Sequence, residues 1–236
     1  MDSEYIELKP VPRQWLYLLA GIFLLSGVLL FVLWDRIPDP MPTHWGFSGE
    51  PDSFKPKTPG AVFGMIAAGG IPLGVVAPSV VYTTHYQAKH AHEGLPHKSV
   101  EEVDRIRATT NETVPLLANF MLALTALVIG AVTFSLLGFL RGPLLTGLVI
   151  AGIVLLLVWF VRDLMAAQRR VANVVGHDEN SQNMHWGMFY YNRNDDRVLI
   201  EHGLGTTLNW ANPGSWLLMG VVLMPLALII LVTVLN

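Results

Sequence analysis

A proline-rich segment between residues 37 and 57 contains the first residues whose types could do chemistry, His44, Glu50 and Asp52. Imidazole titrates near neutral pH, and with carboxylates it can form an acid–base pair or a nitrogen and oxygen cation site. The sequence favours a plainer interpretation, a structural loop in which a backbone hydrogen bond fixes His44. A ligand-recognition loop is the second alternative, and metal binding or catalysis is the third.

A second group of histidines lies further along the chain. Half of the eight histidines fall in one short tract: His85, His90, His92 and His97. A His-rich tract can bind metal. Their spacing, however, does not place two histidines at i and i+4 on one helical face, and no cysteine or aspartate lies among them. A solvated loop is therefore favoured, the four histidines are only weak metal candidates, and no cofactor is expected.

Most other catalytic chemistry is excluded by residues that the chain lacks. There is no cysteine, which removes disulfides, thiolate nucleophiles and cysteine zinc sites. No H-E-x-x-H or G-x-S-x-G motif occurs, and Gly203-x-Gly205 lacks the third glycine, lysine and helix of a phosphate loop. An interfacial enzyme using His44 with Glu50 or Asp52 is therefore the least favoured function, and no residue is assigned as catalytic.

Composition indicates the elements that must position these residues. The 236 residues are 52% hydrophobic and only 14% charged, whereas soluble domains carry about 25% charged residues. The net charge of −3 leaves no basic surface for nucleic acid. The sequence therefore predicts an all-α membrane protein in which helices support the polar segments.

Five apolar runs are long enough to cross a bilayer core of about 30 Å. They predict a five-span helical bundle with spans at about Arg13–Trp34, Gly60–Thr84, Thr113–Phe139, Gly142–Leu164 and Ser215–Leu235. No ionisable residue lies in the middle of a span, which argues against ion-coupled transport. The second span is rich in glycine and contains Pro72 and Pro78; a tightly packed helix is favoured over a broken helix that lines a site.

The distribution of positive charge predicts the orientation of this bundle, because lysine and arginine concentrate on the cytoplasmic side. On one side lie Lys9, Arg13, Lys89, Lys98, Arg105, Arg107, Arg162, Arg169, Arg170, Arg193 and Arg197. On the other lie Arg36, Lys55, Lys57 and Arg141. The N-terminus is therefore expected inside and the C-terminus outside.

Five segments follow from this arrangement. Residues 1–84 form a two-span unit with an outer loop at 35–59, and residues 85–112 hold the His-rich loop and an amphipathic helix. A capping box at Ser99-Val-Glu-Glu102 predicts the start of that helix. Spans three and four occupy 113–165, an inner strand-rich module occupies 166–214, and span five occupies 215–236.

The outer loop carries a recognisable pattern, Pro-x-His-Trp-x-x-x-Gly-x-x-Asp, directly after one span and before a glycine-rich one. This pattern resembles the membrane domain of unknown function at the N-terminus of SdpI-type toxin-immunity proteins, over residues 15 to 80. The resemblance implies a bacterial membrane protein that protects against, or senses, an exported peptide toxin, without an established catalytic role. The ligand-binding candidates that it carries over are Pro42, His44, Trp45, Gly49 and Asp52.

The inner module alternates aromatic and β-branched runs with Asn, Asp and Gly clusters, which predicts two or three short strands with tight turns. It resembles a second domain of unknown function that often follows the first. Arg193 stands where that family usually has proline, and Glu201-His202 stands where it has a basic pair, which weakens the case for anion binding there. The matching residues are Trp186, Tyr190, Asn192, Asp195, Arg197, Gly203, Gly205 and Asn209.

These observations predict a non-catalytic, multi-pass protein of the bacterial cytoplasmic membrane, of the immunity or sensing type. Its expected partners are the lipid bilayer, an extracytoplasmic peptide or lipid ligand, and either subunits of a membrane complex or a cytoplasmic protein. The alternative is a small accessory subunit of a larger membrane complex.

Overall fold

The computed structural model describes residues 5–46, 50–93, 98–140, 142–177, 180–186, 188–202 and 205–235, with side-chain burial in the last helix described as far as Met224. Within these residues the long helices are α1 Gln14–Val32, α2 Pro59–Lys89, α3 Val100–Leu136, α4 Gly142–Val175 and α5 Pro213–Leu235. The strands are β1 Met41–Trp45, β2 Pro51–Lys55, β3 Met184–His185, β4 Phe189–Tyr190, β5 Leu199–His202 and β6 Gly205–Leu208. They form three separate antiparallel pairs, β1 with β2, β3 with β4, and β5 with β6.

Four helices of the described chain are long and apolar enough to cross a membrane. They are α1 to α4, with mean hydropathies of 2.4, 1.9, 2.1 and 2.8 over their most apolar windows. Side chains such as Leu24 and Leu155 stay 70% and 68% exposed on these helices, as expected where hydrocarbon surrounds an all-apolar helix. A multi-pass membrane protein is thereby confirmed.

The fifth predicted span also forms a helix, α5. Its described apolar stretch, Pro213–Met224, is shorter than a membrane span requires. Five spans and the orientation of the termini therefore stay predictions.

The second span is a continuous helix. Helix α2 runs unbroken from Pro59 to Lys89 through Pro72 and Pro78, as favoured over a broken helix. Gly70 lies in close packing, because a Cβ at this position would overlap the ring of Phe23 and approach Ile129 Cδ1 to 3.1 Å. The small residue thus lets α1 and α2 come together.

The chain divides into two compact units. The helical unit comprises Leu8–Tyr86 with Thr110–Leu164, and the mixed unit comprises Met1–Glu7, Gln87–Thr109 and Met165–Asn236. The helical unit has two apolar cores. The first is formed by Leu30, Ile37, Met41, Val62, Ile66, Ile129, Leu136 and Leu137, and the second by Trp15, Leu19, Ala77, Val81, Val114 and Ala118.

The helix ends of the mixed unit are satisfied by side chains. The capping box before α3 is confirmed, since Ser99 N–H donates to Glu102 Oε2 at 2.6 Å and Glu102 N–H donates to Ser99 Oγ at 3.2 Å. The predicted amphipathic helix and third span are one continuous helix. Arg105 donates to the carbonyls of Val175 and Gly176 at the end of α4, at 3.3 and 2.9 Å, where a helix leaves its last acceptors unpaired.

Candidate functional site: the hairpin between the first two helices

The predicted outer loop folds as a short β-hairpin. Strands β1 and β2 pair antiparallel, with Pro42 opposite Phe54 and His44 opposite Ser53, and the register is irregular on both sides of His44. Such irregularities re-aim side chains on a strand. Prolines at alternate positions favoured an extended backbone, but the pairing itself was not predicted.

The base of the hairpin is anchored in the first core of the helical unit. Ile37 and Met41 are 2% and 0% exposed among residues of α1, α2 and α3. Lys57 closes the base, because its backbone N–H donates to Asp39 Oδ1 at 3.0 Å and its Nζ donates to the Ile37 carbonyl at 3.0 Å. The same ammonium group lies 5.6 Å from the centre of the Trp34 ring. The hairpin is therefore held at its base by packing, hydrogen bonds and a cation–π contact.

His44 and Asp52 form an exposed pair across the two strands. His44 Nδ1 donates to Asp52 Oδ1 at 2.6 Å, and the two side chains are 69% and 51% exposed. Asp52, and not a backbone group, is thus the partner that orients the ring, so the expected backbone hydrogen bond is replaced by a carboxylate contact. With Nδ1 held in this way, Nε2 is the imidazole nitrogen that a ligand can reach.

Glu50 has a different position. A Cβ built at Gly142, the first residue of α4, would lie 2.7 Å from Glu50 Oε1, and Gly142 has a φ of +63°. The carboxylate thus lies at a helix N-terminus, where negative charge is favourable. Among the described residues no group of three His, Asp or Glu side chains could hold a metal ion. His44, Glu50 and Asp52 therefore do not assemble the cation site that their sequence proximity suggested.

The other residues of the outer pattern differ in exposure. Pro42 is buried and Trp45 is half-buried. Pro42 therefore packs inside the protein and is not available to a ligand. Phe54, which the pattern did not include, is 51% exposed on β2. Gly49 lies outside the described residues. The described pattern residues that are accessible are thus His44, Asp52 and part of Trp45, and Ser53, Phe54 and Lys55 of β2 are exposed beside them.

The histidines of the second tract have separate partners. His90 Nδ1 donates to Glu93 Oε2 at 2.8 Å, and His92 Nε2 lies 3.4 Å from Glu93 Oε1. The hydrogen bond from His90 lowers the pKa of Glu93 below its ordinary value. His85 Nε2 donates to the Lys9 carbonyl at 3.0 Å, and His97 lies outside the described residues. Glu93, which the sequence analysis missed, is the common partner of two of these histidines.

The residues singled out in the strand-rich module form a hydrogen-bonded network. Tyr190 is 2% exposed; its hydroxyl donates to Asp195 Oδ2 at 3.0 Å and accepts from Asn192 Nδ2 at 3.2 Å. Arg197 binds the same carboxylate through Nε and Nη2, at 2.9 and 2.6 Å. The Arg197 hydrogen bonds hold the pKa of Asp195 well below its usual range.

Asn209 is the centre of this network and is 0% exposed. Its Nδ2 donates to the carbonyls of Asn192 and Asp195, at 2.8 and 2.7 Å. Its Oδ1 accepts from the backbone N–H of Asn192 and Ala211, at 3.1 and 3.2 Å. One side chain therefore ties the turn at 192–195 to the segment after β6, and Tyr190 and Asn209 also form a parallel bridge.

Two of the remaining module residues, Trp186 and Gly205, are among the described residues. Trp186 is 65% exposed and has a φ of +51°. Gly205 begins β6 and pairs with His202, and Gly203 lies outside the described residues. The buried members of the pattern thus hold the module together, whereas Trp186 faces outward.

The comparisons with known proteins bear on the hairpin. Residues 21–69 match Domain of unknown function (DUF1648). The match covers about a fifth of the chain, from the middle of α1 through the hairpin into α2. It includes the anchor residues Ile37 and Met41 and the pair His44 and Asp52. No second domain is identified.

Neither the curated proteins nor the solved structures contain a match to the chain. The family match therefore covers the hairpin with the adjoining parts of α1 and α2, without naming an activity.

Proposed function

We propose that this protein is a bacterial membrane protein of the immunity or sensing type, which binds an exported peptide through the hairpin at 41–55. The observation that carries the proposal is the His44–Asp52 pair, with a 2.6 Å contact between two side chains that are both more than half exposed. The similarity of the hairpin pattern to that of SdpI-type immunity proteins supports an exported peptide as the ligand.

The chemistry of the pair suits recognition. Asp52 fixes the ring of His44, so little side-chain freedom is lost when a ligand binds to Nε2. Phe54 and the half-buried Trp45 add apolar and aromatic surface beside the polar pair, a combination that is common at the centre of binding interfaces. An amphipathic peptide at the membrane surface presents both kinds of group.

The proposal requires that the hairpin face the outside. The excess of lysine and arginine in the other connections supports this orientation. Since the chain has no cysteine, Ser53→Cys and Asn194→Cys variants each carry a single thiol, both at exposed positions. In intact cells, a membrane-impermeant maleimide should label the cysteine at 53 and spare that at 194. Labelling at 194 without labelling at 53 would contradict the orientation.

The function itself is tested by survival. Cells that express the protein are challenged, one peptide at a time, with a panel of exported bacterial peptide toxins. The wild-type protein should protect them, and His44→Ala should abolish protection because it removes the group that meets the ligand.

The matched control is His185→Ala, an exposed histidine of β3, which should protect fully. Equal amounts of each variant in the membrane fraction are confirmed by immunoblot. Full protection by His44→Ala would contradict the proposal that the hairpin binds the toxin.

A second candidate function, an accessory subunit of a larger membrane complex, is favoured by one observation. One face of helix α3 lines two cavities within the helical unit, of about 220 and 170 Å³. The residues that line both cavities are Ala126, Gly130 and Phe134. A Cβ at Gly130 would meet nothing within 4 Å, so a partner helix could approach closely. Purification in mild detergent separates the candidates: a subunit copurifies with larger proteins, whereas an immunity protein does not.

A further inference from the structure

Four aromatic side chains of the mixed unit form a continuous series, which we call the aromatic ladder: Trp186, Phe189, Trp210 and Trp216. Successive ring centres are 6.1, 5.8 and 5.1 Å apart. The series begins at the turn between β3 and β4 and ends in the first turn of α5. Such tilted and edge-to-face contacts favour a fixed arrangement of the rings.

Three of the four rings of the aromatic ladder are exposed, and the fourth, Trp210, is half-buried. Trp186, Phe189 and Trp216 are 65%, 38% and 60% exposed, whereas the neighbouring Tyr190 is 2% exposed. Alternation along β4 explains this difference, since successive side chains of a strand point to opposite faces. Trp186 also has a φ of +51°, which costs energy for a residue with a bulky side chain. The chain thus adopts an unfavourable backbone conformation at a position that exposes a large apolar ring.

The aromatic ladder continues into the apolar surface of α5. Trp216 Nε1 donates to the Trp210 carbonyl at 3.2 Å, which ties the module to the helix. Beyond it, Leu217, Val221 and Val222 are 73%, 57% and 65% exposed. Along α5 the exposed surface therefore changes from tryptophan to aliphatic residues. Membrane proteins show the same order from the headgroup region, where tryptophan is enriched, to the hydrocarbon core.

A cationic group lies on the same stretch of chain. Tyr191 directly follows β4 and is 41% exposed. Arg193 lies 5.9 Å from the centre of the Tyr191 ring and donates through Nε to its hydroxyl at 3.1 Å. Within the described part of the chain, Arg193 has no carboxylate in salt-bridge contact. Its guanidinium suits the phosphate groups of lipids.

We infer that the aromatic ladder is a membrane-binding surface, which holds the strand-rich module in the headgroup region of the bilayer beside the start of α5. The occupant of the surface is lipid. The aliphatic face that continues from it on α5 has the composition of a lipid-facing helix, and Arg193 complements anionic headgroups. Indole rings favour this region because they combine a large apolar body with one N–H donor.

The test uses the full-length protein in nanodiscs of phosphatidylcholine and phosphatidylglycerol. Because the chain has no cysteine, Trp186→Cys and Phe189→Cys each provide one attachment site for an environment-sensitive fluorophore. Asn194→Cys is the matched control at an exposed turn outside the aromatic ladder. Quenching is measured with lipids that carry a nitroxide near the headgroup, and with iodide in the water.

Nitroxide lipids should quench the fluorophore at 186 and 189 several-fold more than at 194, and iodide should quench 194 most strongly. Equal iodide quenching at all three sites would overturn the inference. Protection from iodide without nitroxide quenching at 186 and 189 would also overturn it, in favour of a protein partner. Unchanged thermal stability in detergent confirms that each variant is folded.

Discussion

Replacing Asn209 with alanine should loosen the strand-rich module and leave the helices intact. The side chain is 0% exposed and makes four hydrogen bonds, all to backbone groups. Alanine has the size of the Asn209 backbone and Cβ alone, so two N–H groups and two carbonyls lose their partner together. No neighbouring side chain has to move to produce this effect.

The magnitude follows from these contacts. A hydrogen bond contributes about 1 kcal/mol net to stability, so four of them amount to about 4 kcal/mol. Since about 1.4 kcal/mol corresponds to a tenfold change in an equilibrium constant, local opening of the module should become about a thousandfold more frequent. The matched control, Asn212→Ala, removes two hydrogen bonds, one from Gly214 N–H in the first turn of α5 and one to the Asp196 carbonyl, and should cost only about 2 kcal/mol.

Amide hydrogen exchange measures this opening directly. Peptides from 188–202 and 205–212 should exchange much faster in Asn209→Ala than in the wild type, whereas peptides from α1 to α3 should not change. Asn209→Asp should behave similarly at neutral pH, because a carboxylate cannot donate to two carbonyls. Exchange in Asn209→Ala no faster than in Asn212→Ala would refute the assignment of Asn209 as the centre of the network.

Two further changes test the packing and the charges. Gly70→Ala should lower the free energy of unfolding of the protein in detergent by about 1–3 kcal/mol, because the added methyl group overlaps Phe23. Gly64→Ala, with nothing within 4 Å of its Cβ, should be neutral or stabilising. Equal effects of the two substitutions would contradict the close contact at Gly70. Because Arg197 lowers the pKa of Asp195, this pair stabilises the module above the ordinary carboxyl pKa of about 3.9, and the contribution disappears as the pH falls below it. Asp195→Asn should therefore weaken the acid dependence of tryptophan fluorescence between pH 6 and 2, and an unchanged profile would count against the pair.

The sequence was informative where physical signals are local. Apolar runs predicted helices α1 to α4, since length and hydropathy alone decide whether a segment suits hydrocarbon. The capping box at Ser99 and Glu102 was predicted for the same reason, because its two residues are three positions apart. Two or three short strands with tight turns were expected after α4 from runs of aromatic residues broken by Asn and Gly, whereas the described residues form four strands in two hairpins.

The sequence was less informative about contacts between residues that are far apart in the chain. Glu50 Oε1 lies close to Gly142 at the start of α4, and no local pattern shows this proximity because the two residues are far apart in the chain. The hydrogen-bonded role of Asn209 depends on two turns meeting, which no local pattern shows. The outward position of Trp186 depends on a backbone conformation that aromatic residues rarely adopt.

The central claim, that the hairpin binds a peptide through His44 and Asp52, is tested most directly by affinity. The full-length protein in nanodiscs is titrated with the exported peptide toxin against which it protects cells best, and wild type, His44→Ala, Asp52→Asn and the double variant are compared. Leaving a buried donor or acceptor without its partner costs about 1–3 kcal/mol, so His44→Ala should weaken binding about 5- to 150-fold, and the double variant should be no weaker. Wild-type affinity in His44→Ala would contradict the account.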